Sequence, residues 1–204
     1  MGVGDDIRTA HEASRIERQL KRITSVAPDR RILLVQGLHD RFVPALVPKF
    51  LPQVTRLLAD ETPAVRHQTV LLLTHLFELH PDDFGAAVGP LVGMIQDSRM
   101  ENRSDTLTLL DTIARQQPRA VLPHLAKLVN RLDDPTPGVQ AALMQVLMAL
   151  GRRSPAAVTA QLAKLLDPRR PQACRDVLEM LAAISAEQPK GLARAAPRLV
   201  KLLG

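Results

Sequence analysis

Residues 51–81, LPQVTRLLADETPAVRHQTVLLLTHLFELHP, decide how this chain folds. Leu51, Val54, Leu57 and Leu58 recur at helical spacing, with Pro52 expected in the first turn, where a missing N–H costs least. Asp60 and Thr62 then offer side chains that cap a following helix, and Pro63 suits its first position. That second helix places Val65, Leu72, Leu73, Leu76 and Phe77 on one side and Arg66, His67, Thr74, His75 and Glu78 on the other, until Pro81 stops it. The stretch reads as two antiparallel helices, A and B, joined by a tight turn.

The same unit recurs along the chain. A step of 37 residues carries Asp60 to Asp97 and Asp134, Arg66 to Arg103, and Pro81 to Pro118 and Pro155; a step of 34 then reaches Pro189. The apolar columns of helix B survive every step. Leu72 maps to Leu109, Val146 and Met180; Leu73 to Leu110, Leu147 and Leu181; Leu76 to Ile113, Leu150 and Ile184. One step back lie Leu34, Val35 and Leu38. Recurrence at a fixed period marks units that bury their apolar sides only by stacking on one another.

The string Leu57-Leu58-Ala59-Asp60-Glu61-Thr62-Pro63-Ala64-Val65-Arg66 resembles the HEAT repeat, as does Leu132-Asp133-Asp134-Pro135-Thr136-Pro137-Gly138-Val139. Prolines within helix A, at Pro52, Pro90, Pro123 and Pro197, fit the same family. The resemblance covers roughly residues 25 to 204. It implies an all-α fold, an α-solenoid of about five stacked antiparallel helical hairpins coiling into a right-handed superhelix. It also implies a binding scaffold whose B helices line the concave side. Gln140 and Cys174 stand where the family's arginine belongs, so an arginine ladder is interrupted there.

Composition agrees with an all-α reading. Hydrophobic residues make up 46% of the chain, yet Trp and Tyr are absent and only 4 Phe occur, so the core is aliphatic. The single cysteine, Cys174, forbids an internal disulfide and is expected as a small buried filler. The amino terminus is polar, without the pattern of a secretory signal. The longest apolar stretch, Phe84 to Ile95, contains Pro90 and falls short of the roughly 20 residues that span a bilayer. No membrane insertion and a cytoplasmic location are expected. Charge is uneven: residues 1–114 hold 13 basic and 15 acidic side chains, residues 115–204 hold 14 and 6.

In chain order, residues 1–8 are expected to fray. Thr9 to Ile23 form a charged helix that, within residues 1–24, caps the amino-terminal end of the array. Asp29 to Phe42 form the next helix, and hairpins fill the array over 25–204, which together with the cap makes one domain. A last helix, Leu192 to Leu203, has no partner behind it; it is expected as a short cap, with a homo-oligomeric contact as the other option.

Catalytic chemistry finds no foothold. There is no G-x-S-x-G, no phosphate-cradling glycine loop, no HExxH and no paired His–Glu motif. The histidine pairs His67/His75 and His75/His80 are spaced too far along the helix for a zinc pair. Asp60, Asp97 and Asp134 are read as caps, with Arg66 and Arg103 able to pair with them. No enzyme activity, metal or cofactor is expected.

The informative columns are those of helix B that change from repeat to repeat. They run His67, Ser104, Ala141, Arg175; Leu71, Thr108, Gln145, Glu179; Thr74, Asp111, Met148; and Glu78, Arg115, Arg152, with His75 among them. Leu71 and Met148 are apolar residues on a polar stripe, the kind that anchors a partner. The expected function is a non-catalytic scaffold or adaptor that binds a protein or peptide segment along this stripe. The alternative is a nucleic-acid-binding module that holds phosphates with the basic carboxyl half. Without aromatic platforms in that half, bases have nothing on which to stack.

Overall fold

The hairpins foreseen from residues 51–81 are present, and every element among the described residues is helical. The computed structural model describes residues 3–82, 84–166, 171–187, 196, 197 and 200. The helices are α1 (Val3–Ile23), α2 (Pro28–Gln36), α3 (Val47–Arg56), α4 (Pro63–Leu79), α5 (Gly85–Met94), α6 (Met100–Gln116), α7 (Pro118–Val121), α8 (Leu125–Val129), α9 (Pro137–Arg153), α10 (Pro155–Leu162) and α11 (Pro171–Glu187). Short 3-10 turns at Leu57–Ala59, Leu122–His124 and Ala163–Leu165 extend or join the A helices. The B helices α4, α6, α9 and α11 are each 17 residues long, about 25 Å of rise. No strand occurs among the described residues.

The chain divides into two compact units within α6, one ending at Leu109 and the other beginning at Leu110. In the first unit α1 packs on α2 and α3, α2 and α3 pack on α4, and α3 also packs on α5. Its interior holds Val54, Leu57, Val65, Leu72, Leu73, Leu76 and Phe77, with Phe77 edge-on to Phe84 at a centroid separation of 5.1 Å. In the second unit α9 packs on α7, α8, α10 and α11, and α10 on α8 and α11. There Val146, Leu147, Leu150, Val158, Leu162, Met180, Leu181 and Ile184 are buried. From Leu72 through Ile184 every residue of the three B-helix columns is buried, and one step back Val35 and Leu38 are buried while Leu34 is half-buried. Each such aliphatic side chain contributes about 1.5–3 kcal/mol over leaving it in water.

Several expectations are corrected. The amino-terminal helix begins at Val3, ahead of the expected start at Thr9. The helix expected over Asp29–Phe42 stops at Gln36, and only a 3-10 turn, His39–Arg41, follows. Gly37, a poor helix former, stands at its C-cap, and the extended Val43 before Pro44 ends the turn that follows. Pro52 lies inside α3 rather than in its first turn, because the helix starts earlier, at Val47 with Pro48. In the third A helix Pro123 has the stronger effect of breaking α7 from α8. Cys174 is half-exposed rather than buried, since it occupies the column of Arg66, Arg103 and Gln140 beside the A–B turn, and all four are half-exposed. Much of the helix expected over Leu192–Leu203 lies outside the described residues; Val200, within it, is exposed.

Candidate functional site

The A–B turns come first, because they hold each hairpin in register. In all three the aspartate uses its two oxygens differently. Oδ1 of Asp60, Asp97 and Asp134 accepts the backbone N–H two residues on, from Thr62 at 2.8 Å, Arg99 at 2.9 Å and Thr136 at 3.0 Å. This closes the turn before the helix, and Thr62 itself, at the N-cap of α4, makes no side-chain cap. Oδ2 takes an arginine: Arg31 donates to Asp60 at 2.7 Å, Arg66 to Asp97 at 2.5 Å, and Arg131 to Asp134 at 2.7 Å.

Within the first unit two of these pairs join successive repeats, and Arg66 and Arg103 also donate to the carbonyls of Asp60 and Asp97. Burial pushes the Asp97 carboxyl up, but the hydrogen bonds from Arg66, the Arg99 amide and Asn102 hold it below its ordinary value. In the second unit Gln140 replaces the arginine and donates to Leu132 O at 3.2 Å, a neutral contact two residues short of the aspartate carbonyl that Arg66 and Arg103 use. The aspartates are therefore structural, as read from sequence.

The stripe of variable columns falls on the sides of the B helices left uncovered by the core. In the first unit α4 presents His67, Leu71, His75 and Glu78 at intervals of about one turn. Leu71 is 37% exposed and Glu78 exposed, whereas His67 and His75 are half-buried. His67 Nε2 lies 3.5 Å from Asp105 Oδ2. His75 stacks on His39, ring centroids 5.6 Å apart and 28° between planes. Burial, with the neighbouring His75, pushes the His39 imidazole below its ordinary pKa. On α6 Ser104 is half-buried and Thr108 exposed, its hydroxyl donating to Ser104 O at 3.1 Å.

In the second unit Asp111 accepts Arg115 Nε at 2.8 Å, one turn apart on α6. On α9 Gln145 and Arg152 are exposed and Met148 half-buried; Arg152 Nε donates to Glu187 at 3.1 Å. On α11 Arg175 and Glu179 are exposed. Sequence reasoning missed three members of these neighbourhoods, Asp105, His39 and Glu187. Asp105 adjoins Ser104, but nothing in the one-dimensional pattern pairs His39 with His75.

It also missed a groove on the A-helix side of the first unit. About 550 Å³ opens between α3 and α5, bounded by Leu51, Pro52, Thr55, Pro90 and Met94, and by Arg66 and Asp97 at its polar end. Small residues at the contact, Ala59, Ala86 and Gly93, leave it unfilled. Among the described residues no three His, Cys, Asp or Glu side chains gather closely enough to hold a metal ion. No helix among them is long and apolar enough to cross a membrane.

Stacked A–B hairpins with capped aspartate turns, an aliphatic interior and a polar, variable B-helix side define an α-solenoid of the HEAT and armadillo class. The chain belongs to the family of the adaptin N terminal region, whose model matches residues 30–204. Solved structures agree on the fold. Computationally designed armadillo repeat proteins for modular peptide recognition match with a TM-score of 0.57 at 18% identity, over 91% of this chain and 90% of theirs. A TOG domain of crescerin, from an array that regulates microtubules in the primary cilium, matches at 0.56 and 17%, over 86% and 81%. A designed armadillo repeat protein in complex with the peptide (KR)4 matches at 0.52 and 16%, over 91% and 97%. No curated protein matches the chain.

Proposed function

We propose that the chain is a non-catalytic scaffold that binds a protein or an extended peptide segment on the outward sides of its B helices. One observation carries the reading: Leu71, 37% exposed, lies one turn from His67 and one from His75 on an otherwise polar line of α4. An aliphatic anchor flanked by hydrogen-bonding side chains is the composition of a binding hot spot with its polar rim. Membership of the adaptin N terminal region family supports it, as does a likeness in fold to designed proteins made for peptide recognition. Residues 1–24 serve as the cap and the remainder as the array, forming one functional domain.

The test is selection of peptides from a random library on the immobilised chain, followed by titration of the winners against variants. Leu71→Glu and, separately, Met148→Glu and Arg152→Glu are expected to weaken binding by tenfold or more, about 1.4 kcal/mol. Arg56→Glu, on the A-helix side, is expected to leave it unchanged. Winners that ignore every B-helix variant would defeat the proposal.

The nucleic-acid alternative draws on the excess of bases after residue 114. Part of that charge is already met internally, by Arg152 on Glu187 and Arg131 on Asp134, and Arg169 and Arg170 lie outside the described residues. Binding that appears only for single-stranded DNA, and falls steeply with salt, would favour it over the scaffold.

A further inference from the structure

Away from the B-helix stripe, the amino-terminal helix carries an unusual concentration of one charge. Arg15, Arg18 and Arg22 lie on one line of α1, and Arg41 reaches the same place from the 3-10 turn after α2. With Gln19 and Leu34 the four arginines surround a hollow of about 210 Å³. Gln19 forms its floor: its amide donates to Leu34 O and tethers α1 to α2. Gly37 makes room for this, since a Cβ there would come within 3.1 Å of the Gln19 nitrogen.

The protein supplies far less negative charge than the hollow holds positive. Glu12 is shared, Oε1 with Arg15 Nη1 at 3.2 Å and Oε2 with Arg41 Nη1 at 3.5 Å. Among the described residues Arg18 donates only to Ser14 O, and Arg22 has no carboxylate partner. Asp40 is exposed, and its field acts on His39. Glu17, on the same helix, is taken by Lys21 at 2.8 Å. The carboxyl ends of α1 and α2 add partial negative charge worth a fraction of a full charge each. Arg41 Nε is shielded from solvent yet donates to no acceptor among the described residues. Four planar forks around one small hollow, with one donor unspent, match a compact oxyanion with several acceptors.

We propose that this hollow binds a terminal phosphate or pyrophosphate group. Arg18 and Arg22 are its free ligands, Arg15 and Arg41 join them, and Glu12 acts as an internal counter-ion that the phosphate displaces. No aromatic side chain borders the hollow, so a nucleobase has nothing to stack on and the phosphate carries the recognition. The group could belong to a soluble phosphate compound or to a lipid headgroup; the chemistry at the arginines is the same.

The experiment titrates the full chain with inorganic pyrophosphate by calorimetry, and in parallel sediments it with phosphatidylcholine vesicles doped with phosphatidic acid. The variants are R18A/R22A, E12Q and the charge-matched control R99A/R119A, with folding checked by circular dichroism. Saturable pyrophosphate binding that weakens tenfold or more in R18A/R22A, strengthens in E12Q and is untouched in the control supports the site with a soluble ligand. The same order of variants seen only on phosphatidic acid vesicles supports it with a lipid headgroup. Absence of binding to both probes, or equal weakening by R18A/R22A and R99A/R119A, overturns it.

Discussion

Asp97 shows how much one side chain does in this chain. It closes its own turn through Oδ1 and holds the preceding repeat through Arg66 on Oδ2, with its side chain 2% exposed. Asp97→Ala leaves Arg66 without its partner and opens the turn; it is expected to cost about 2–4 kcal/mol, measured by urea unfolding. Because the folded carboxyl is held below its ordinary value, its contribution is complete above that value and is lost as pH falls through the lowered one. The acid limb of a stability profile is therefore expected to flatten in Asp97→Asn. His39 acts with the opposite charge and the same direction. Burial and His75 lower its pKa, so the unfolded chain takes up the proton first and stability declines as pH drops below the ordinary imidazole value. In His39→Gln that decline is expected to shrink, again read from unfolding midpoints across pH.

At the scale of elements, the B helices were legible because burial repeats with the turn of the helix, and the repeat multiplied that signal four times. The A helices were less so. Each carries a proline, but the prolines act differently, tolerated inside α3 and α5 and breaking α7 from α8. Helix contacts also hide in small residues. Gly151 on α9 meets α11 so closely that a Cβ would lie 2.8 Å from Ile184 Cδ1 and Cγ1. Gly151→Ala is expected to destabilise by about 1–3 kcal/mol through overpacking, despite the higher helix propensity of alanine. Ile184→Val, added to it, removes one of the clashing atoms and should return part of the loss in the same denaturant measurement.

For the whole molecule, the prediction concerns what salt does to binding. A peptide anchored by Leu71 should lose little affinity between low and moderate ionic strength, while phosphate held by the arginine hollow should lose much, because screened charge is its main attraction. Titration of both ligands across a salt series would separate them. The sequence by itself determined the all-α class, the hairpin period, the three buried columns and the polar stripe, since each follows from which residue returns after a turn or a repeat. Only the tertiary structure decided that Arg31 reaches Asp60 and His39 stacks on His75, that small residues leave a groove between α3 and α5, and that Arg41 joins Arg15, Arg18 and Arg22. The periodicity of a helix assigns a residue to a face; which long side chains meet across faces depends on how far apart the helices settle and where each chain ends its reach.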